Sequence, residues 1–278
     1  MVKIYSTKEI LMYLDKSITQ GIPFSTIRLG DAGLGILYSY FCDNFIETGK
    51  WSGKNGTKLS NKIMKQLTIP KDKIKYLLDE FILSINNATF CDTYDAYFLL
   101  NKNKKNVGMI GRNWNKIHKQ AGLINTKYCS PLLHYFSIVN NEFNLFDIMK
   151  NRKVFCISNQ IEICENLKEK SGATTIDYYK IPRQGIKGAH YLNHYQTILD
   201  LIDSKAKEYD LFLIGAGFLG KIYCNRVKIK GGRVFDSGRL FDFWSETRVI
   251  NGRASKFLKL NKETMLVERL KKINNGVW

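Results

Sequence analysis

Two short blocks hold residues whose types and spacing suit chemistry. Arg28-Leu29-Gly30-Asp31-Ala32-Gly33 follows the apolar run that begins at Phe24, and Asp236-Ser237-Gly238-Arg239-Leu240-Phe241-Asp242 follows Val234-Phe235. Each is a buried-strand pattern that stops at Gly and Asp. In an α/β protein such a stop marks the carboxyl edge of the sheet, where ligands of open sheets bind. Each block brings an Asp and an Arg to that edge, and a carboxylate beside a guanidinium suits a metal–phosphate group.

Three further blocks have the same character. Gly215-Ala216-Gly217-Phe218-Leu219-Gly220 is a GxGxxG pattern between a strand and a helix, and Asp236 closes the next strand 21 residues after Gly215. That spacing matches a dinucleotide fingerprint. Only about 40 residues follow Asp236, fewer than the rest of a typical dinucleotide fold needs. The glycines then have two readings: a turn that admits a phosphate to backbone N–H groups, or a tight turn that needs glycine for packing. In Tyr178 to His190, Arg183 and Lys187 are candidates for holding phosphate, and His190 or His194 for proton transfer. Helix packing is the competing reading for both histidines. Gly111-Arg112-Asn113-Trp114 places a cation beside an aromatic ring, suited to stacking on a base or sugar or to core packing.

The elements that must position these residues alternate between strand and helix. Ser6 and Glu9 make a capping box for a helix carrying Ile10, Leu11, Leu14 and Ile18. Strands are expected at 24–29, 107–110, 153–158, 174–181, 210–214 and 233–235. Helices are expected at 34–41, 59–67, 73–85, 143–149, 161–170, 191–202 and from the glycine turn to about 228. The alternation predicts a Rossmann-like, doubly wound, mostly parallel α/β sheet. A single domain over 1–278 is the simplest division, with a helical insertion at about 51–105 and a basic tail at about 251–278.

The chain is 44% hydrophobic and 13% aromatic, which excludes a disordered protein. Its 43 Lys+Arg against 25 Asp+Glu give +18. That balance favours an anionic partner, or describes a lysine-rich solvated surface. Clusters at Lys50 to Lys65, Lys102 to Lys119 and from Arg226 onward, interleaved with Trp51, Trp114, Phe243 and Trp244, suit a polyanion track. None of the six cysteines forms a CxxC pair, so they read as reduced core residues of a cytoplasmic protein. No signal-peptide pattern opens the chain, and no apolar run approaches a membrane span.

These blocks, in this order, resemble the GT-D class of glycosyltransferases over about residues 20–246. Arg28 to Gly33 looks like that class's Arg-Phe-Gly-Asp-Gly-Glu block. Ile181-Pro182 with Tyr195 resembles its Ile-Pro element and aromatic-containing helix, and Gly215 to Gly220 its glycine turn. Asp236-Ser237-Gly238-Arg239 with Asp242 resembles its Asp-Ile-Gly-His block and the Asp that follows. The resemblance implies a nucleotide-sugar donor, with UDP-sugar favoured, and Mn²⁺ or Mg²⁺ at Asp31. It implies catalytic roles for Asp31, Asp236 and Asp242, and donor binding by Arg28, Gly30, Arg183, Gly215, Gly217 and Arg239. Two positions depart from the pattern. The second carboxylate of the metal motif is Gly33 here, and the family's His is Arg239. Either Asp236 or Asp242 completes the metal site, or Arg and Lys supply the metal's charge, or catalysis is lost.

The expected activity is hexosyl or pentosyl transfer to a hydroxyl acceptor. Given the +18 charge, that acceptor is expected to be a hydroxymethylated base in DNA, as in virus-encoded DNA-modifying enzymes. The alternatives are a bacterial protein or surface-glycan glycosyltransferase, and a non-catalytic nucleic-acid-binding module on a degenerate transferase fold. A nicotinamide-dependent oxidoreductase stands third.

Overall fold

Strands buried on both faces read as continuous apolar runs, the pattern of a parallel sheet with helices on either side. The structure, a computed structural model, has that arrangement. It describes residues 3–29, 33, 36–37, 40–41, 68–92, 119, 121–123, 127–129, 133, 137, 143–182, 190–238 and 240–244.

The described strands are β1 (Lys3–Tyr5), β2 (Phe24–Ile27), β3 (Phe90–Asp92), β4 (Lys127–Cys129), β5 (Lys153–Ser158), β6 (Thr175–Lys180), β7 (Leu211–Gly215) and β8 (Arg233–Asp236). The helices are α1 (Thr7–Thr19), α2 (Ile74–Asn87), α3 (Leu145–Met149), α4 (Cys164–Ser171), α5 (Tyr195–Lys205), α6 (Gly217–Ile229) and α7 (Leu240–Trp244). A 3₁₀ turn, Lys71–Lys73, leads into α2, and a π-helical turn, His190–His194, leads into α5. The strands form one 8-stranded sheet in the order β1-β4-β3-β2-β8-β7-β5-β6. All its pairings are parallel.

Side chains alternate across the sheet. In β7, Phe212 and Ile214 enter one core while Leu211 and Leu213 enter the other. In β5, Phe155 and Ile157 separate from Val154 and Cys156 in the same way. The first core lies under α2, α5 and α6, with Phe81, Ile198, Phe218 and Tyr223. The second lies under α1, α3 and α4, with Ile10, Leu14, Ile148 and Leu167. Helix α6 contacts β2, β7 and β8 as well as α2 and α5. It is therefore apolar nearly all round, and Phe218 to Asn225 are all buried.

The expected boundaries hold within a few residues for α1, α2, α3, α4, β5, β6, β7, α6 and β8. Gly33, Ile36, Leu37, Tyr40 and Phe41 are helical, as the 34–41 expectation requires. Three strands, β1, β3 and β4, were not expected, and neither was α7. Strand β3 falls inside the segment expected to be a helical insertion, yet it pairs with β2 near the middle of the sheet. Each of these strands spans three residues, too few to display a period. The expected 59–67 helix, the 107–110 strand and the 251–278 tail lie outside the described residues.

The capping box is present in full. The Ser6 side chain accepts the Glu9 N–H at 3.3 Å, and the Glu9 carboxylate accepts the Ser6 N–H at 2.7 Å. Ser6→Ala is expected to lower the unfolding free energy in urea by about 1 kcal/mol; an unchanged midpoint would show that the box contributes nothing to stability.

Candidate functional site

A parallel sheet gathers its carboxyl ends on one edge. Here that edge collects Arg28, Asp92, Gly215 and Asp236 from the ends of β2, β3, β7 and β8. Beyond Ile27 the ladder around β2 runs out, and the next two backbone N–H groups need acceptors. Two buried carboxylates supply them, one from each neighbouring strand. The Arg28 N–H donates to Asp236 Oδ2 at 2.7 Å, and the Leu29 N–H donates to Asp92 Oδ1 at 2.7 Å. Consecutive N–H groups of an extended chain point to opposite sides, so the pair clamps the strand exit between β8 and β3. The clamp sits immediately before Gly30 and Asp31.

Asp236 has further partners. Lys221 of α6 donates from Nζ to Oδ2 at 2.6 Å, and the Gly238 N–H donates to Oδ1 at 3.2 Å. The Asp236 N–H in turn donates to Thr26 Oγ1 at 2.9 Å. The Lys221 and Asp236 side chains are 6% and 2% exposed, so this is a buried ion pair tying α6 to β8 and β2. Lys221 directly follows the GxGxxG pattern and was not singled out in the sequence. A lysine between Gly220 and Ile222 in an apolar helix was the signal that could have found it.

Asp92 is the second residue the sequence reading missed. It is 4% exposed, and burial, the largest cause, raises its carboxyl to about 6. The Leu29 N–H, Arg28 and Lys221 oppose that rise, and the Asp236 carboxylate adds to it. Its sequence signal was Phe90-Cys91-Asp92, an apolar pair that stops at Asp as the two chemistry-bearing blocks do. A narrow cavity lined by Thr26, Arg28, Asp92, Cys129, Leu133 and Asp236 lies beside the clamp. Arg28 Nε is buried with no hydrogen-bond partner among the described residues.

The glycines serve close packing. A Cβ on Gly215 would stand 2.8 Å from Phe241 Cδ2 and 2.9 Å from the Gly238 carbonyl oxygen. A Cβ on Gly238, where φ is +51°, would meet Arg28 Nε at 2.7 Å. The β7 and β8 turns therefore pack directly on each other and on the Arg28 guanidinium. Gly217 has φ +60° and opens α6, which has no side-chain cap at its N-terminus. At Gly33 a Cβ would lie 2.9 Å from Phe81 Cζ, so the buried ring of α2 occupies the space a side chain would need.

Of the residues expected to act, Arg28, Gly215, Gly217 and Asp236 are brought to one edge. Gly30, Asp31, Arg183 and Arg239 lie outside the described residues, as does the Gly111 to Trp114 cluster. Asp242 falls within α7, at the same edge. His190 is buried, its Nε2 is 3.1 Å from Tyr223 Oη, and burial lowers its pKa to about 4. It is therefore neutral near pH 7 and packs between α5 and α6. His194 Nδ1 is 3.0 Å from Tyr179 Oη.

The resemblance implies a divalent cation at Asp31, with a second carboxylate two residues on. The described residues do not fit that set. Phe81 fills the space at Gly33, Lys221 and two N–H groups occupy Asp236, and no group of three His, Cys, Asp or Glu among the described residues is placed to hold a metal. Among the described residues no helix is long and apolar enough to cross a membrane.

The architecture agrees with comparison to known proteins. The family model of the GT-D fold-like domain matches residues 5–244. The chain therefore belongs to the GT-D fold-like family, and its fold is that of a glycosyltransferase. Two solved structures are similar in fold. One is described as a domain of unknown function 1792 with a distinct glycosyltransferase fold, at TM-score 0.54 and 13% identity. The other is a selenomethionine-substituted structure of domain of unknown function 1792, at TM-score 0.52 and 14% identity. Each similarity covers 88% of this chain and 82% of the other. No curated protein matches the sequence.

Two outcomes follow from the clamp. Lys221→Met leaves Asp236 buried without its cation and is expected to cost about 3–5 kcal/mol of stability. Lys221→Met combined with Asp236→Asn is expected to recover part of that loss in chemical denaturation. Equal losses in both would remove the ion pair as the cause.

Asp92 binds its proton more tightly folded than unfolded. The folded state is thus relatively destabilised as pH rises from about 4 to about 6, by roughly 3 kcal/mol when complete. Asp92→Asn keeps an acceptor for the Leu29 N–H and should abolish that slope. Parallel stability–pH curves for variant and wild type would contradict the assignment.

Proposed function

We propose that the chain transfers a sugar from a nucleotide-diphosphate sugar, with a UDP-sugar the favoured donor, to a hydroxyl acceptor. The observation that carries the reading is the double clamp on β2, which fixes Arg28 and Leu29 at the carboxyl edge, immediately before Gly30 and Asp31 in the chain. Three features there support a leaving diphosphate. The Arg28 guanidinium lies against the Gly238 turn with Nε unpaired. The start of α6 has no side-chain cap, which leaves first-turn N–H groups for an anion. Arg183 and Arg239 flank the described part of the edge in sequence. In this reading arginines carry much of the charge neutralisation that two carboxylates and a metal would otherwise provide. Asp236 holds Arg28 in place, and the acceptor-activating base falls to Asp31 or Asp242.

The +18 charge supports a polyanionic acceptor, with hydroxymethylated DNA the first candidate. A base hydroxyl inside a duplex would need to be flipped out. A second reading, a glycan acceptor, is favoured by a tyrosine-lined groove at the same end of the sheet. The nicotinamide reading loses its ribose ligand, because the Asp236 carboxylate is held by Lys221.

Thermal unfolding against a panel of nucleotide sugars tests the donor, since a ligand that binds only the folded state raises Tm. One nucleotide sugar is expected to raise Tm, the rise is expected to survive EDTA, and Arg28→Met is expected to reduce it. No rise with any donor would defeat the transferase reading, and a rise abolished by EDTA would return the metal to the site. DNA retention at low salt, falling at least about tenfold at moderate salt, is the result expected for a DNA acceptor. No retention at low salt would remove it.

A further inference from the structure

A groove of about 530 Å³ opens between the first turns of α2 and α5, lined by Asp72, Tyr76, Tyr191, Leu192, Tyr195 and Gln196 among others. Helix α2 leads into β3 and α5 into β7. A helix that precedes a parallel strand runs back along it, so both first turns lie toward the carboxyl edge. The groove therefore opens at the same end of the sheet as Arg28, Asp92 and Asp236.

Its chemistry is that of a polyol site. Tyr76 is 49% exposed and Leu192 62% exposed, so apolar faces are presented to solvent. Tyr191 and Tyr195 have centroids 5.0 Å apart, and Tyr195 and Tyr223 are 5.8 Å apart, giving a stack of rings that runs inward from the groove. Tyr195 is 6% exposed, and its hydroxyl is buried with no hydrogen bond among the described residues. Burial, the larger influence, raises its pKa, and the Tyr76 phenol reaches toward it without a hydrogen bond of good geometry. A buried hydroxyl so placed gains from a ligand that supplies a full partner. Gln196 donates from Nε2 to Asp200 at 2.8 Å, which leaves its carbonyl oxygen to accept. Asp72 adds a carboxylate.

An aromatic face for C–H groups, with carboxylate, carboxamide and phenol hydrogen-bonding groups around it, matches one sugar ring. A nucleic-acid strand fits less well. Lys73 and Lys75, beside Tyr76, are already paired with Asp72 and Asp79, leaving a rim near neutrality for a phosphate backbone.

We infer that this groove is a carbohydrate-binding subsite that takes one pyranose ring, stacked on Tyr76 and Tyr191 with a ring hydroxyl on the Tyr195 hydroxyl. Its role as the acceptor subsite rests on the transferase reading in its second form, with a glycan acceptor; its binding of carbohydrate does not.

The test is titration of the full chain with maltotetraose and chitotetraose, followed by calorimetry and saturation-transfer NMR. At least one saccharide is expected to bind. Tyr76→Ala and Tyr195→Phe, each with wild-type Tm, are expected to weaken that binding about tenfold. Tyr195→Phe keeps the ring and its packing and removes only the hydroxyl. The inference is overturned if neither saccharide binds the wild type, if both variants bind as the wild type does, or if a single-stranded oligonucleotide binds with Tyr76-dependent affinity in their place. Donor-induced stabilisation of the wild type is measured beside it. Donor binding without saccharide binding removes the groove alone. Saccharide binding without donor binding keeps the groove and removes the transferase reading.

Discussion

The end of β2 is the constraint on which the rest of the site depends. A central parallel strand that leaves the sheet between two neighbours exposes backbone donors in a place water does not reach, and each must find an acceptor. This chain meets that need with carboxylates rather than carbonyls. Asp92 and Asp236 take the Leu29 and Arg28 N–H groups from opposite sides, so the direction of the exiting chain is set by charge-assisted hydrogen bonds. Buried carboxylates bring their own desolvation penalty. Lys221 offsets it for Asp236 at 2.6 Å. Asp92 has no such close cation, and its raised pKa measures the uncompensated part. What the charges supply is geometry more than stability, because an apolar substitute at either position would leave an N–H unpaired.

Placing Lys221 inside α6 has consequences along that helix. A lysine can be buried there only if the helix lies close to β8, and closeness requires small residues. Gly220 lies against the end of β7, where a Cβ would sit 3.5 Å from Ile214 Cγ2 as well as 3.2 Å from Ala216 Cβ of the preceding turn. Gly215 lets the β8–α7 turn pack against the end of β7. The GxGxxG pattern and the Asp that follows it are thus accounted for by helix–sheet and turn–turn contacts around one ion pair. The same letters in a dinucleotide fold serve a pyrophosphate and a ribose. Spacing alone does not separate the two; the occupant of the Asp carboxylate does.

Legibility followed burial and length. Lys153 to Ser158 and Leu211 to Gly215 could be read from sequence because long runs buried on both faces are unbroken apolar words. The Ser6 capping box was legible because its two bonds are local. Strands β1, β3 and β4 were not, since three residues set by pairing with neighbours leave little local trace. With β3 went Asp92, whose meaning depends on lying beside Leu29, 63 positions away in the chain. Lys221 was hidden by the habit of reading a helical lysine as solvated. Arg28 and Asp236 were legible as strand-end residues, but their contact through the Arg28 N–H was not, because it is a product of the strand order β3-β2-β8. The departure at Gly33 was visible in sequence, and its cause, the Phe81 ring from α2, was not.

The electrostatic balance of the described edge decides what can bind there. Asp92 and Asp236 carry negative charge, Lys221 and Arg28 positive, and three of the four are turned inward in hydrogen bonds to the protein. The interior of the edge is therefore close to neutral, and little of its charge is presented to a ligand. Two features of the described edge are left without a protein partner: Arg28 Nε, which is buried, and the start of α6, which has no side-chain cap. The buried charges set the direction in which the chain leaves β2. A divalent cation at the same edge would have to be held by carboxylates free of protein partners, whereas Asp236 is held by Lys221 and two N–H groups and the space at Gly33 is filled by Phe81.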